Sequence, residues 1–164
     1  MATIVLTGGG SAGHCIPHLS LLPYLKNHFN KIYYIGSQCG IEKNIIENTD
    51  IPYYSIPCAK LNRKFTVKHF KIPVTLLSGI VSSGKILDML KPDVIFSKGG
   101  YVSVPTVIAA KKRNIPVISH ESDFSIGLAN KITSKYCKTV LTSFPDTAKE
   151  IHNGKFIGSP IRKM

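Results

Sequence analysis

The sequence predicts an α/β fold in which a parallel β-sheet carries helices on both faces. Short β-rich runs alternate with longer segments of helical periodicity along the 164 residues, a pattern typical of repeated strand–helix–strand units. Runs such as IVL and VIF are continuously apolar, and such strands suit a sheet that is covered on both faces. These observations together indicate one domain with a doubly wound, Rossmann-like sheet.

Seven segments have the composition and length of strands. In chain order they are residues 2–7, 31–36, 52–56, 93–97, 116–119, 139–141 and 155–158. Helix signals lie between them: residues 41–47 have helical periodicity, and Pro105 stands in a first-turn position after Ser103. The first helix begins near Pro17, and Pro23 should kink or shorten it because proline removes a backbone hydrogen bond.

Composition limits the compartment and the partners. The four cysteines have no CxxC spacing, which favours free thiols in a reducing cytosol over a disulfide framework or zinc site. We find no signal-peptide pattern and no apolar run of the roughly 18 residues that a membrane span needs. We therefore expect a cytoplasmic protein that does not span the membrane.

The charge balance favours an anionic partner. Lys and Arg number 21 against 9 Asp and Glu, for a net charge of +12, which suits nucleic acid, an acidic membrane face or a phosphorylated substrate. Residues 51–87 contain no acidic side chain and surround the apolar segment 74–81 with lysine and arginine. No nucleic-acid recognition motif or aromatic stacking platform accompanies the charge, so we expect no nucleic-acid partner.

A glycine-rich loop, GGGSAG at residues 8–13, lies between the first strand and the first helix. Gly8, Gly10 and Gly13 satisfy GxGxxG, and such glycines bring backbone N–H groups close to a phosphate. The dinucleotide version also expects an acid at the end of the second strand, and residues 35–38 offer none. The loop therefore predicts a phosphate site rather than an NAD site, with a ligand-free tight turn as the alternative.

His14 follows this loop at the sheet edge where open α/β folds bind ligands. Its imidazole is a candidate general base for a hydroxyl nucleophile; packing or capping is the alternative role. His14 and His18 have the spacing of a metal pair, but Pro17 intervenes and no third ligand follows in a recognisable pattern. We expect no metal site.

Two further loops end at the same edge. In SKGGYVSVP (97–105), Gly99 and Gly100 expose backbone donors and Lys98 adds charge for an anion. The segment HESDFSIGLANK (120–131) brings several polar side chains to the edge. Two anion-binding loops in one sheet predict a diphosphate-bearing ligand, and their convergence with the third predicts the active site.

Four segments in this order resemble the signatures of the MurG family of glycosyltransferases. They are GGSAGH (9–14), KGGYVSVP (98–105), HESDFSIGLANK (120–131) and GSPIR (158–162). The resemblance implies the amino-terminal half of a GT-B enzyme with two Rossmann-like domains. Residues 1–158 would form the acceptor-binding domain and 159–164 would begin an interdomain linker, with the donor-binding domain absent from this sequence.

The resemblance also implies the reaction. It is an inverting transfer of N-acetylglucosamine from UDP-GlcNAc to the 4-hydroxyl of the MurNAc unit of undecaprenyl-linked lipid I, giving lipid II for peptidoglycan. The full-length protein would be the hexosyltransferase, and this half is expected to be inactive alone. We expect no cofactor, His14 as the base, and Glu121 as a second candidate that orients or deprotonates a group.

The family's binding residues are carried over by motif position. Acceptor-diphosphate contacts are implied for Gly9, Gly10, Gly13, Gly99, Gly100, Tyr101 and Asn130. Donor contacts are implied for Ser11, Ala12, Gly13, Asp123 and Arg162. The sequence departs from the family at Ala12, where a glycine is frequent, and at Asp123, where HEQN has a neutral amide; the carboxylate can accept a sugar hydroxyl but repels phosphate.

A membrane role follows from the same resemblance, because lipid I lies in the cytoplasmic leaflet. We expect peripheral binding to the anionic inner face of the plasma membrane through basic side chains and apolar side chains that enter the interface. These are Lys64, Lys68, Lys71, Leu76, Leu77, Ile80 and Val81. The alternative is a core-facing helix with solvated lysines.

Other interpretations stay open. One is a half-subunit of a split glycosyltransferase that works only with a separate donor-binding subunit. Another is a Rossmann nucleotide-binding protein such as an oxidoreductase, which the missing ribose acid disfavours.

Overall fold

The computed structural model describes residues 2–59 and 72–159. Within them, parallel strands form one seven-stranded sheet in the order β3-β2-β1-β4-β5-β6-β7. The strands are β1 Thr3–Thr7, β2 Lys31–Ser37, β3 Tyr53–Ile56, β4 Val94–Ser97, β5 Val117–Glu121, β6 Thr139–Thr142 and β7 Gly154–Phe156. All seven predicted strands are present, and the predicted Rossmann-like fold class is confirmed.

Six α-helices lie between the strands of the described residues. They are α1 Ile16–His28, α2 Ile41–Glu47, α3 Ile72–Leu90, α4 Ser103–Lys111, α5 Leu128–Thr133 and α6 Pro145–Lys149. Pro105 lies in the first turn of α4, as predicted. Pro23 was predicted to kink or shorten α1, but it does not end the helix, which continues to His28. Burial of His18 and Leu22 offsets the missing hydrogen bond.

The core has two halves, one on each face of the sheet. Ile4 and Leu6 of β1 face one side, which α1 and α2 cover, while Val5 faces the other, which α3 and α4 cover. Because successive strand residues point to opposite faces, a strand buried on both sides carries apolar side chains at consecutive positions, as Ile4, Val5 and Leu6 do. This arrangement leaves the loops at the carboxyl edge free to form a site.

Helix α3 is the one helix in the described part of the chain that is long and apolar enough to cross a membrane by length and composition. Its mean hydropathy is 1.2, and 22% of the 18-residue window is buried. No such segment was expected, because serine, glycine and lysine interrupt the apolar run of α3. One face of α3 packs against α4 through Gly79, Ser83 and Leu87, as in a helix that belongs to the domain.

The four cysteines are free thiols. This confirms the prediction made from their spacing. Burial raises the pKa of the Cys15 thiol to about 11 and that of the Cys137 thiol to about 12, so both stay protonated at neutral pH.

Candidate functional site

The three predicted loops converge on one cleft at the carboxyl edge of β1, β4 and β5. The cleft has a volume of about 260 Å³. Among the predicted site residues, the cleft is lined by Gly9, Gly10, Ser11, His14, Gly100, Tyr101, Glu121, Asp123 and Asn130. Ala12, Gly13 and Gly99 belong to the same loops without lining it, and Arg162 lies outside the described residues.

The two glycine loops pack directly against each other. Gly100 has φ +77°, and a Cβ placed there would lie 2.0 Å from the carbonyl oxygen of Gly9. Gly10 has φ +87°, and a Cβ there would lie 2.5 Å from the ring of Tyr101. Both the left-handed backbone and the close approach demand glycine. The contact fixes the shape of the cleft floor.

His14 is oriented by the second loop. Its Nδ1 lies 3.0 Å from the backbone carbonyl oxygen of Lys98. Because a carbonyl only accepts hydrogen bonds, Nδ1 carries the hydrogen, and the neutral imidazole has its lone pair on Nε2. His14 lines the cleft, and this tautomer suits a base that takes a proton through Nε2.

His18 does not line the cleft as His14 does, because its side chain is buried under the first loop. It is fully buried and makes edge contacts with the rings of Tyr34 and Phe96, with Nδ1 3.3 Å from the Tyr34 hydroxyl. That hydroxyl in turn donates to the carbonyl of Gly8 at 2.8 Å. His18 therefore supports the first loop from below. Among the described residues, no group of three potential metal ligands is present.

The burial of His18 predicts a pH-dependent stability. Desolvation, followed by the positive charges of nearby groups, lowers its pKa from 6.5 to about 3. The unfolded chain therefore takes up this proton first as the pH falls, and stability decreases from about pH 6.5 towards pH 3.

We expect the free energy of unfolding to fall by about 2 kcal/mol between pH 6.5 and 4.5 through this group. Urea unfolding at several pH values measures it. His18→Phe should flatten the dependence, and His28→Gln, at an exposed position of the same helix, should not. Equal slopes in His18→Phe and the parent chain would refute the assignment.

Glu42 is a site residue that the sequence analysis missed. It is fully buried at the start of α2, and its Oε2 accepts the Gly10 N–H at 3.0 Å. Its Oε1 accepts the backbone N–H of Ser37 at 3.1 Å and also the Ser37 hydroxyl. An acid does therefore stand near the end of β2, but it binds the protein's own loop, and the Gly10 N–H is not available to a phosphate.

Removing this acceptor should destabilise the domain. We expect Glu42→Gln to lower the free energy of unfolding by about 2 kcal/mol, because one oxygen becomes an amide donor that faces other donors. Glu47→Gln, in the exposed last turn of α2, should change it by less than about 0.5 kcal/mol. Denaturant titration of both variants checks this, and equal effects would contradict the role given to Glu42.

Glu121 and Asn130 hold the third loop. The Glu121 side chain accepts the N–H groups of Asp123 at 3.0 Å and Gly127 at 2.9 Å, and the Asn130 amide at 3.0 Å. The Asn130 carbonyl oxygen accepts the Ser119 hydroxyl at 3.1 Å. Both residues are about 3% exposed, so their polar atoms serve the loop, while the exposed Asp123 faces the cleft.

Lys98 was predicted to add charge at the anion site, but its ammonium does not face the cleft surface. The residue is 1% exposed, and its Nζ lies 2.7 Å from Nδ1 of His120 and 2.5 Å from the Ser122 hydroxyl. Burial lowers its pKa to about 8, against the raising effect of the Glu121 and Asp123 carboxylates. With this pKa the amine is mostly protonated at pH 7, and the ammonium lies beneath the loops.

The predicted membrane-facing residues of α3 divide into two groups. Leu77 and Val81 are 61% and 58% exposed, and Val74 beside them is 69% exposed. Ile80 packs against the core and Leu76 is half-buried, because they lie on the side of the helix that turns toward the sheet. Lys64, Lys68 and Lys71 lie outside the described residues.

The parallel sheet and its carboxyl-edge cleft are those of a Rossmann-like domain of the GT-B type. Residues 4–142 match the family model of the glycosyltransferase family 28 N-terminal domain, and the chain belongs to this family. The resemblance that the four motifs indicated is thereby confirmed.

Two curated relatives carry the name UDP-N-acetylglucosamine--N-acetylmuramyl-(pentapeptide) pyrophosphoryl-undecaprenol N-acetylglucosamine transferase. The protein of that name from Clostridium perfringens (strain SM101 / Type A) is 54% identical over 162 residues, which is 98% of this chain and 45% of the relative. The one from Lachnospira eligens is 48% identical over 165 residues, 99% of this chain and 47% of the relative. The chain spans about half the length of the curated relatives it matches.

Solved structures agree on the fold. The crystal structure of Acinetobacter baumannii MurG has a TM-score of 0.83 at 25% identity, over 99% of this chain and 46% of that one. A UDP-GlcNAc 2-epimerase from Methanocaldococcus jannaschii has a TM-score of 0.68 at 13% identity, over 97% of this chain and 46% of that one. The second likeness concerns the fold alone.

Proposed function

We propose that this chain is the acceptor-binding half of an inverting N-acetylglucosaminyltransferase. Within a longer protein, it takes part in transfer from UDP-GlcNAc to the 4-hydroxyl of lipid I, which gives lipid II. The observation that carries the proposal is the 54% identity to the Clostridium perfringens transferase over nearly the whole chain. Residues 1–158 are the acceptor domain in this proposal, and 159–164 begin the linker.

In the proposed mechanism His14 removes the proton of the acceptor hydroxyl through Nε2. The freed oxygen forms a bond to the anomeric carbon on the face opposite to UDP, the bond to UDP breaks, and the linkage becomes β. The Lys98 carbonyl accepts from Nδ1–H and stabilises the imidazolium that forms. His14 thus both accepts the proton and activates the hydroxyl nucleophile, and its imidazole is already oriented in the cleft.

Backbone donors rather than cationic side chains bind the acceptor diphosphate in this proposal. The described cleft has no exposed lysine or arginine among its lining residues, so in this proposal backbone N–H groups of the loops carrying Gly9, Gly13, Gly100 and Tyr101 bind the phosphates. The Gly99 N–H is not among them, because it already donates to the Ser97 hydroxyl at 3.2 Å. Nests of successive backbone N–H groups bind phosphate without a cation.

The donor contacts are proposed for Ser11, Ala12, Gly13, Asp123 and Arg162. Asp123 accepts a sugar hydroxyl rather than a phosphate, because a carboxylate repels phosphate. Most of the sugar nucleotide is held by the other half, so the chain alone is proposed to be inactive. Glu121 and Asn130 act by holding the third loop in position.

A transfer assay tests this function. We would join the chain to the carboxyl-terminal half of the Clostridium perfringens relative and follow UDP release and disaccharide formation from UDP-GlcNAc and a soluble lipid I analogue. The fusion should form a β-linked disaccharide, and the chain alone should not. A folded fusion without transfer, or a chain that transfers alone, would contradict the proposal.

Docking on the inner face of the plasma membrane belongs to the same proposal. The exposed face of α3 formed by Val74, Leu77 and Val81 enters the interface, and Lys64, Lys68 and Lys71 approach anionic headgroups. Each fully buried aliphatic side chain contributes about 1.5–3 kcal/mol. The protein then works as a cytoplasmic enzyme at the surface where lipid I lies.

We expect Leu77→Gln with Val81→Gln to weaken binding to phosphatidylglycerol vesicles at least about tenfold. Co-sedimentation of the chain with vesicles measures this. Met89→Gln, at the other end of α3 and 60% exposed, is the matched control and should bind as the parent chain does. Equal loss in both variants, or none in either, would exclude this face as the docking surface.

A further inference from the structure

Lys98 makes two sets of contacts that fix two histidines in opposite tautomers. The ammonium can only donate, so Nδ1 of His120, 2.7 Å away, accepts. His120 therefore carries its hydrogen on Nε2, which lies 2.9 Å from the carbonyl oxygen of Gly158. A carbonyl can only accept, so each bond in the series from Lys98 through His120 to Gly158 has one direction.

The backbone of the same residue sets the other histidine. The Lys98 carbonyl accepts from Nδ1 of His14, which leaves the His14 lone pair on Nε2. His14 is thus presented as an acceptor of protons and His120 as a donor. Lys98 therefore contacts Nδ1 of both histidines, through its carbonyl at His14 and through its ammonium at His120.

The hydrogen-bond series from Lys98 through His120 ends at Gly158, which lies near the end of the described chain. Its N–H and that of Ile157 donate to the carbonyl of Thr142, and the Ser159 hydroxyl lies 2.6 Å from that of Ser143. These contacts come from β6 and the loop after it. The bond from His120 connects this segment to β5 and, through Lys98, to the second loop of the cleft.

We propose that Lys98 is a positioning residue: its carbonyl presents Nε2 of His14 as the base, and its ammonium, through His120, anchors the segment at Gly158 that leads to Arg162. This inference rests on the proposed function, in which Arg162 contacts the donor. The buried ammonium has a physical reason to be there, because a charged donor makes a stronger hydrogen bond than a neutral one.

The geometry also explains why an apolar residue would not serve at position 98. The backbone carbonyl would remain and His14 would keep its tautomer. Nδ1 of His120 would lose the ammonium donor at 2.7 Å and keep the Ser122 hydroxyl at 3.4 Å, which can accept from Nδ1 as well as donate to it. The tautomer with hydrogen on Nδ1, which cannot donate to Gly158, would therefore become populated. A substitution at position 98 therefore removes the contact of the side chain with His120 and keeps the contact of the backbone carbonyl with His14.

Nitrogen NMR of ¹⁵N-histidine-labelled chain at pH 7, without ligand, tests the proposal. The parent chain should show hydrogen on Nδ1 of His14 and on Nε2 of His120. Lys98→Met should leave His14 unchanged, give His120 a mixture of tautomers, and speed amide exchange of Gly158 and Ser159 about five- to tenfold, as for the loss of one hydrogen bond. Ser122→Ala, which removes the other partner of the ammonium, should keep the His120 tautomer.

Two further variants test the anchor without altering Lys98. His120→Gln supplies an acceptor and a donor and should keep Gly158 protected, whereas His120→Leu should speed its exchange as Lys98→Met does. A single Nε2–H tautomer of His120 in a folded Lys98→Met chain, or equal protection in the Gln and Leu variants, would overturn the proposal. Since no substrate is present, failure here is distinct from failure of the transfer assay.

Discussion

Replacement of His14 by alanine in the fusion enzyme is expected to lower kcat by about 10²–10⁴-fold with little change in KM, the effect of removing a positioned general base. The reason is geometric, since the Lys98 carbonyl holds Nδ1–H and leaves Nε2 as the acceptor in the cleft. Steady-state kinetics with saturating UDP-GlcNAc and a varied acceptor analogue measure both constants.

His14→Asn separates the two functions of the imidazole. The asparagine amide can still donate to the Lys98 carbonyl, but it offers no base, so we expect a loss of kcat as large as in His14→Ala. Recovery of activity in His14→Asn would mean that the side chain only holds the second loop. A kcat within threefold of the parent in both variants would assign the proton transfer to another group.

The second large effect is expected at Gly100. Gly100→Ala should weaken binding of a soluble lipid I analogue to the chain by roughly 30- to 100-fold, which corresponds to about 2–3 kcal/mol. The Cβ would stand 2.0 Å from the Gly9 carbonyl oxygen at φ +77°, so the two glycine loops must separate and the cleft floor changes shape. Calorimetry of the variant against the parent chain measures the loss.

Gly127→Ala is the matched control for the substitution itself. Gly127 lines the same cleft, but its φ is −65°, and the nearest atom to an added Cβ is the Glu121 carboxylate at 3.5 Å. We expect its affinity to stay within about threefold of the parent, since no backbone must move. A comparable loss in both variants would mean that added bulk, and not the separation of the loops, weakens binding.

The elements of the fold were predictable because their signals are local or periodic. Each strand has its own apolar run, and the burial of β1 on both faces explains why Ile4, Val5 and Leu6 are all apolar. The position of the cleft followed from topology, since parallel strands place their following loops at one edge. The continuation of α1 through Pro23 was not predictable, because it depends on burial of the helix against the sheet.

The inner contacts of the site depend on distances that sequence spacing does not encode. Glu42 is 32 residues from Gly10, to whose N–H it is bonded, and nothing at position 42 distinguishes it from a surface acid of an amphipathic helix. Lys98 looks like a loop cation by position, yet its four-carbon side chain turns inward to His120. A motif indicates which residues gather at an edge, whereas packing decides which of them face the ligand.

Calorimetric titration of the folded chain with a soluble lipid I analogue, with UDP-GlcNAc and with NAD shows which of these ligands this half of the transferase binds. We expect saturable binding of the analogue, much weaker binding of UDP-GlcNAc and none of NAD. Tighter binding of UDP-GlcNAc than of the analogue, binding of NAD, or no binding of the analogue by the folded chain would contradict an acceptor-binding domain.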